Sequence, residues 1–313
     1  MLGILQTRFG TPVLPLNDRG RSLLPCPGAA LATAARIEAG GVNRRAPIGV
    51  FDSGLGGLTV VRAIFELMPR ENLIYLGDTA RVPYGTRSAA TVIRYAQGCA
   101  SRLREHDIKL LVVACNTVSA VALDILRVQL DLPVLGVIEP GARAAVRSSR
   151  TGRIGVLGTA GTIASGAYAR AVSGLDTRAE VVGRAAPLLV PLAEEGWTEG
   201  ELPTLAVRRY LEPLAGLGLD ALVLGCTHYP LLRPVIEAEA RRLFGAELPV
   251  IDSARATAEQ LGELLQERGL GTSGNEPGRL RLLVTDMPGP FSEMAARFLG
   301  RPLRGLEIEQ IDL

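Results

Sequence analysis

Short apolar runs recur along the chain from Ile48 onward, and between them the apolar positions fall at steps of three and four instead of one or two. The runs predict strands at Ile48–Phe51, Leu73–Leu76, Leu110–Ala114, Val134–Ile138, Ile154–Leu157, Glu180–Val182, Ala221–Leu224, Val250–Ile251 and Leu280–Val284. Among the intervening stretches, Ser88 to His106 sets Val92, Ala96, Cys99 and Leu103 on one helical face, with Ser88 as N-cap. That spacing makes Cys99 a core residue. It also places His106 at the end of the same helix, where the partial negative charge of the terminus favours it. Strand and helix in alternation imply a mostly parallel α/β sheet. Residues 1–46 lack this rhythm and are expected to be a disordered leader or a start-site artefact, with a short helix near Ala29–Ala39, an incidental Cys26 and no signal peptide.

The pattern occurs twice. Ile48 begins a strand that ends in Asp52-Ser53-Gly54-Leu55-Gly56-Gly57, and 67 residues after Ile48 a second strand ends in Cys115-Asn116-Thr117. Ile154 begins a strand that ends in Gly158-Thr159-Ala160-Gly161-Thr162, and 72 residues after Ile154 another ends in Cys226-Thr227-His228. The expectation is two pseudo-symmetric α/β lobes with mostly parallel sheets facing across a cleft. Ligands of open parallel sheets bind beyond the carboxyl ends of the strands, so each lobe offers one thiol to a shared ligand.

Composition removes several function classes. At 313 residues the chain has room for two cores, and a net charge of +2 leaves no electrostatic footprint for nucleic acid. No apolar run of about 18 residues is present, which argues against a membrane span. Four scattered cysteines fit a reducing cytoplasm better than a disulfide framework. With His106 and His228 the only histidines, no metal-ligand spacing is recognisable and no metal is expected. Lys109 is the single lysine, and it opens the strand whose far end, roughly 15–20 Å away, carries Cys115. A pyridoxal-phosphate Schiff base would need a lysine at the other end. No cofactor is expected.

Two thiols on opposite faces of one ligand suit stereochemical inversion. One group removes the α-proton and the other returns a proton to the opposite face. The ordinary cysteine pKa of about 8.5 keeps both thiol and thiolate accessible. Asp52 stands near Cys115 and His228 near Cys226; as a bare charge Asp52 would raise a thiol pKa, so its use lies in accepting or relaying the proton. Ser53, Asn116, Thr117 and Thr227, with backbone N–H groups at helix starts, are placed to hold carboxylates.

The segments Asp52 to Val60, Pro83-Tyr84-Gly85, Cys115-Asn116-Thr117 and Leu224 to Leu231 resemble, in order and separation, the signature segments of the glutamate racemases, over about 47–300. The resemblance implies that Cys115 and Cys226 are the acid/base pair and that Asp52, Ser53, Tyr84, Gly85, Asn116, Thr117, Thr227 and His228 contact the amino acid. Pro191-Leu192-Ala193-Glu194-Glu195-Gly196 is similar to a family element whose first glutamate supports the second cysteine, which points to Glu194. It further implies a discontinuous first lobe, 47–142 plus 254–313, and a second lobe, 143–253. A cytoplasmic isomerase follows from it, often a homodimer, supplying D-glutamate for peptidoglycan and hence cell-wall biogenesis and cell shape.

Plainer readings stand beside these. Gly54, Gly56 and Gly57 would serve a tight strand-to-helix turn, and they fail the dinucleotide fingerprint for want of a glycine at the sixth position. A lone Cys115 would be a buried small apolar residue; its counterpart in the second half favours chemistry. Glu139 either lines the cleft or precedes a turn. Two rival functions share the architecture: a racemase of aspartate or another amino acid, and a binding protein that has lost turnover.

Overall fold

The structure of the protein, a computed structural model, describes residues 43–245, 248–287 and 291–313. Cys26 and the helix expected near Ala29–Ala39 lie outside the described residues. The strands are β1 (Ile48–Asp52), β2 (Leu73–Gly77), β3 (Leu110–Val113), β4 (Val134–Gly136), β5 (Arg153–Gly158), β6 (Glu180–Ala185), β7 (Ala221–Gly225), β8 (Val250–Asp252), β9 (Leu280–Val284) and β10 (Glu307–Gln310). They form a six-stranded sheet in the order β10-β9-β2-β1-β3-β4 and a four-stranded sheet in the order β6-β5-β7-β8. Every pairing is parallel. The order β2-β1-β3-β4 of the first sheet recurs as β6-β5-β7-β8 in the second, which is the internal repeat expected from the sequence.

Helices cover both faces of a parallel sheet, so its central strands read as unbroken apolar runs. Accordingly β1, β3 and β7 are buried at every position. Helix α1 (Leu58–Leu67) follows the glycine-rich turn and buries Leu58, Val60, Val61 and Ile64. Helix α2 (Ala89–Arg104) is capped by the Ser88 hydroxyl, which accepts the Thr91 N–H at 3.4 Å, and it buries Val92, Ala96, Cys99 and Leu103 as the spacing predicts. The helix ends at Arg104, so His106 lies in the following turn and not on the helix. Asp107, at a φ of 51°, takes the chain into the left-handed region there.

Two further boundaries differ from expectation. The strand expected over Val134–Ile138 stops at Gly136, and Ile138 opens helix α5 (Ile138–Ser148), after the short helices α3 (Asn116–Val121) and α4 (Leu123–Gln129). Pro140 sits in the first turn of α5, where its missing N–H costs nothing. Strand β10 was not expected at all: along Glu307–Gln310 only Ile308 is apolar, and the strand is an edge fastened by Arg281 to Glu307 at 2.8 Å and to Glu309 at 2.9 Å.

After β8 the chain returns to the first sheet. Asp252 caps the long helix Ser253–Glu267 by accepting the Ala254 N–H at 2.8 Å. Strand β9 then pairs with β2, and β10 with β9. Helices Ser253–Glu267 and Phe291–Leu299 both pack on α1. Among the described residues no helix is long and apolar enough to cross a membrane. Lys109 is buried at the amino end of β3, its ammonium 2.6 Å from the Glu71 carboxylate and 2.8 Å from the Arg44 carbonyl.

Candidate active site

Strand order fixes where a ligand can sit. The first sheet is wound in one direction from β1 to β2 and in the other from β1 to β3, so the crevice between the carboxyl ends of β1 and β3 is its topological switch point. Between β5 and β7 the second sheet has the equivalent crevice. Phe51 is level with Val113, so two steps further along Ser53 falls beside Cys115. Gly158 is level with Gly225, which brings Thr159 beside Cys226 one step on. Both crevices open into one cavity of about 320 Å³, lined from the first sheet by Ser53, Tyr84, Gly85, Cys115, Asn116 and Thr117. Glu194, Cys226, Thr227 and His228 line it from the second. Asp52 lies beneath the wall, fully buried. Glu139 lines no part of it; the side chain is paired with Arg127 at 3.5 Å and Arg143 at 3.7 Å on a surface helix.

The two thiols have different surroundings. Cys115 occupies the N-cap position of α3 and its thiol donates to the Ser53 hydroxyl at 3.3 Å. Burial and the neighbouring Asp52 carboxylate push this thiol up to about 12, against the help of Ser53, so Cys115 holds its proton at neutral pH. Asp52 is itself pushed up by burial, which outweighs the pull of His228 and of the Gly57, Gly54 and Ser53 N–H groups. Its Oδ2 accepts the Gly54 N–H at 2.9 Å, and Oδ1 has no partner among the described residues.

Cys226 instead faces an imidazole. His228 Nδ1 is 3.7 Å from its sulfur and Nε2 is 3.1 Å from Glu194 Oε1. Burial alone would lower the His228 pKa, but the hydrogen bonds to Cys226 and Glu194 override it and raise it to about 10. A positive imidazolium therefore stands beside the Cys226 sulfur at neutral pH. The Phe298 ring packs edge-on to the imidazole, centroids 5.0 Å apart.

Glycine at 56 brings the two half-sites together. A β-carbon there would lie 2.5 Å from Nδ1 and Cε1 of His228 and would also strike the Thr227 hydroxyl. The Thr59 hydroxyl completes the join by donating to the Thr227 carbonyl at 3.0 Å. Opposite, Tyr168 donates to Asn116 Oδ1 at 2.8 Å and the Thr117 and Thr159 hydroxyls meet at 2.9 Å. Asn116 Nδ2 is buried without a partner among the described residues, a donor left for a ligand.

Thr159, Tyr168, Pro187 and Val190 were not among the residues expected at the site, although the first, third and fourth line the cavity and Tyr168 orients Asn116. Thr159 had a signal: it follows β5 as Ser53 follows β1. Pro187 and Val190 had none, because they are apolar residues in a loop and helix start far from either cysteine in sequence.

This architecture is shared with several glutamate racemases. A glutamate racemase of Geobacter metallireducens is 53% identical over 256 residues, spanning 82% of this chain and 93% of that protein. The crystal structure of a glutamate racemase isoform from Bacillus anthracis superposes with a TM-score of 0.81 at 39% identity, over 87% of this chain and 99% of that one. A Francisella tularensis glutamate racemase, solved in complex with D-glutamate, gives 0.78 at 34% identity over 86% and 98%. Residues 48–261, which carry both cysteines, match the Asp/Glu/Hydantoin racemase family, and the chain belongs to that family.

Proposed function

We propose that this protein interconverts L- and D-glutamate by proton transfer at Cα between Cys115 and Cys226, without a cofactor. The observation that carries the reading is the single cavity in which two equivalent strand ends present two thiols in opposite electrostatic settings, one protonated and one facing an imidazolium. In one direction the Cys226 sulfur, as thiolate, takes the α-proton. The charge left on the substrate spreads into its α-carboxylate, where the Asn116 amide is placed to donate, and Cys115 delivers its proton to the other face. The products are the opposite enantiomer, a Cys226 thiol and a Cys115 thiolate; the reverse reaction restores the start. Asp52, buried near Cys115 with one oxygen unpartnered among the described residues, is a group available to receive a proton there.

Glutamate is preferred over aspartate as substrate because the relatives named above, alike over nearly their whole length, are glutamate racemases. The same reading takes 47–142 plus 254–313 as the first lobe and 143–253 as the second. It takes the enzyme as a cytoplasmic homodimer that feeds D-glutamate to peptidoglycan synthesis. Incubation with L-glutamate in deuterated water tests the chemistry. Optical rotation should decay toward zero with one deuterium gained at Cα, and L-aspartate in parallel should remain unchanged. Exchange on aspartate alone would discard the substrate, and full activity in both Cys115→Ser and Cys226→Ser would discard the mechanism.

A further inference from the structure

Just outside the cavity wall, the Asp78 side chain is fully buried and collects three donors. Oδ2 accepts the Tyr84 hydroxyl and the Arg81 Nε–H, the latter at 2.6 Å, and Oδ1 accepts the Thr285 hydroxyl at 2.9 Å. Thr285 also accepts the Ala80 N–H at 2.8 Å, while the Thr79 hydroxyl donates to the Asp286 carbonyl at 2.6 Å. The turn holding Asp78 is thus bolted to the end of β9. Arg81 lies 4.2 Å over the Tyr95 ring, which in turn packs on Tyr84 with centroids 5.4 Å apart.

Tyr84 belongs to Val82–Thr86, the strip that closes one side of the cavity. Its hydroxyl is committed to Asp78, and burial keeps that hydroxyl protonated far above its ordinary range. The phenol is therefore no acid or base for the substrate. What the strip offers is backbone: the Tyr84 and Gly85 N–H groups have no partner among the described residues, whereas both carbonyls are engaged, Tyr84 by the Arg87 N–H and Gly85 by the Gly161 N–H, each at 2.9 Å. Two free N–H donors on a strip held at both ends suit a carboxylate.

We propose that Asp78, which touches neither the cavity nor the reacting carbon, is the positioning residue for this strip, acting through the Tyr84 hydroxyl to set the backbone donors that bind a substrate carboxylate. The inference rests on the racemase reading above. Its consequence is a division of labour: loss of the latch weakens substrate binding and leaves proton transfer between the thiols intact.

Tyr84→Phe removes the hydroxyl and keeps the ring on Tyr95, and Thr285→Val loosens the same carboxylate from its other side. Both are measured with L- and with D-glutamate, together with the primary isotope effect of α-deuterated substrate. The expected result for Tyr84→Phe is a KM raised about tenfold in both directions, the scale of one charge-assisted hydrogen bond, with kcat within about twofold and the isotope effect unchanged. Thr285→Val should shift KM in the same sense by less. A merely structural role would lower the melting temperature without that split. Unchanged KM in both variants, or a fall in kcat at unchanged KM, would overturn the assignment while the wild type still racemises glutamate. A folded wild type without glutamate racemisation would instead remove the reading on which the latch depends.

Discussion

Gly56→Ala separates two explanations of the glycine-rich turn after β1. If these glycines only allow a tight turn, alanine at this position is harmless, because Gly56 is not at a positive φ and an L-residue can adopt its backbone. The structure gives a different reason for glycine. The new β-carbon would sit 2.5 Å from two atoms of the His228 ring, where ordinary contact begins near 3.4 Å, so the two loops must part by about 1 Å. The displaced ring is the one that backs Cys226, and a misplacement of that size in a proton-transfer site costs on the order of 100-fold. Overpacking adds a stability cost of about 1–3 kcal/mol, or roughly 1–2 °C in melting temperature per kcal/mol for a chain of this size. The assay is kcat/KM for both enantiomers beside a thermal melt. Because L- and D-glutamate have equal free energy, kcat/KM must fall equally in the two directions. A Gly56→Ala enzyme within about threefold of wild type would refute the close approach as the reason for the glycine.

Other substitutions test other links. Gly98 lies exposed in α2 with nothing within 4 Å of its absent β-carbon, so Gly98→Ala should raise stability by about 0.5–1 kcal/mol in a chemical melt and leave racemisation unchanged. Glu194→Gln keeps an acceptor for His228 but removes the negative charge that helps raise its pKa to about 10, so the His228 resonances should titrate at lower pH and the alkaline limb of the rate profile should move with them. His228 has its folded pKa raised above the ordinary 6.5; its stabilisation is therefore complete below about pH 6.5 and is lost as pH rises toward 10, a loss that Glu194→Gln should shrink in pH-dependent melts. With only two histidines in the chain, His106→Gln leaves a single imidazole signal to follow. Lys109→Met strands the buried Glu71 carboxylate and should cost about 3–5 kcal/mol by denaturant titration, yet kcat/KM below the melt should stay within about twofold because the pair is at the opposite end of β3 from Cys115.

The alternation of buried apolar runs with helical spacing was enough to place nine of the strands, because central strands of a covered parallel sheet carry almost no polar residues. The edge strand β10 escaped for the same reason inverted: Glu307, Glu309 and Gln310 read as loop, and only the pairing with β9 and the charges of Arg281 make them a strand. Ile138 looked like the end of an apolar run and is the start of a helix, since nothing local separates a buried strand end from a buried helix start. At the site, the residues that follow strand ends were legible, as position along a parallel strand predicts proximity to the ligand. Asp78 was not. It forms no motif with a cysteine, and its importance lies in three donors drawn from Arg81, Tyr84 and Thr285, the last some 207 positions away.

The two half-sites are equivalent in backbone and unequal in charge, and both properties are needed. Equivalence brings a thiol from the matching strand end of each sheet to one cavity, the arrangement that the proposed inversion requires. Inequality solves a different problem: two identical buried thiols would hold the same proton count, and neither all-thiol nor all-thiolate can take a proton on one side and give one on the other. Burial and Asp52 keep the proton on Cys115, while the imidazolium of His228, sustained by Glu194, compensates charge on Cys226. On the proposed mechanism, the repeated fold supplies the geometry, and the unrepeated residues at 52, 194 and 228 assign the single proton that moves.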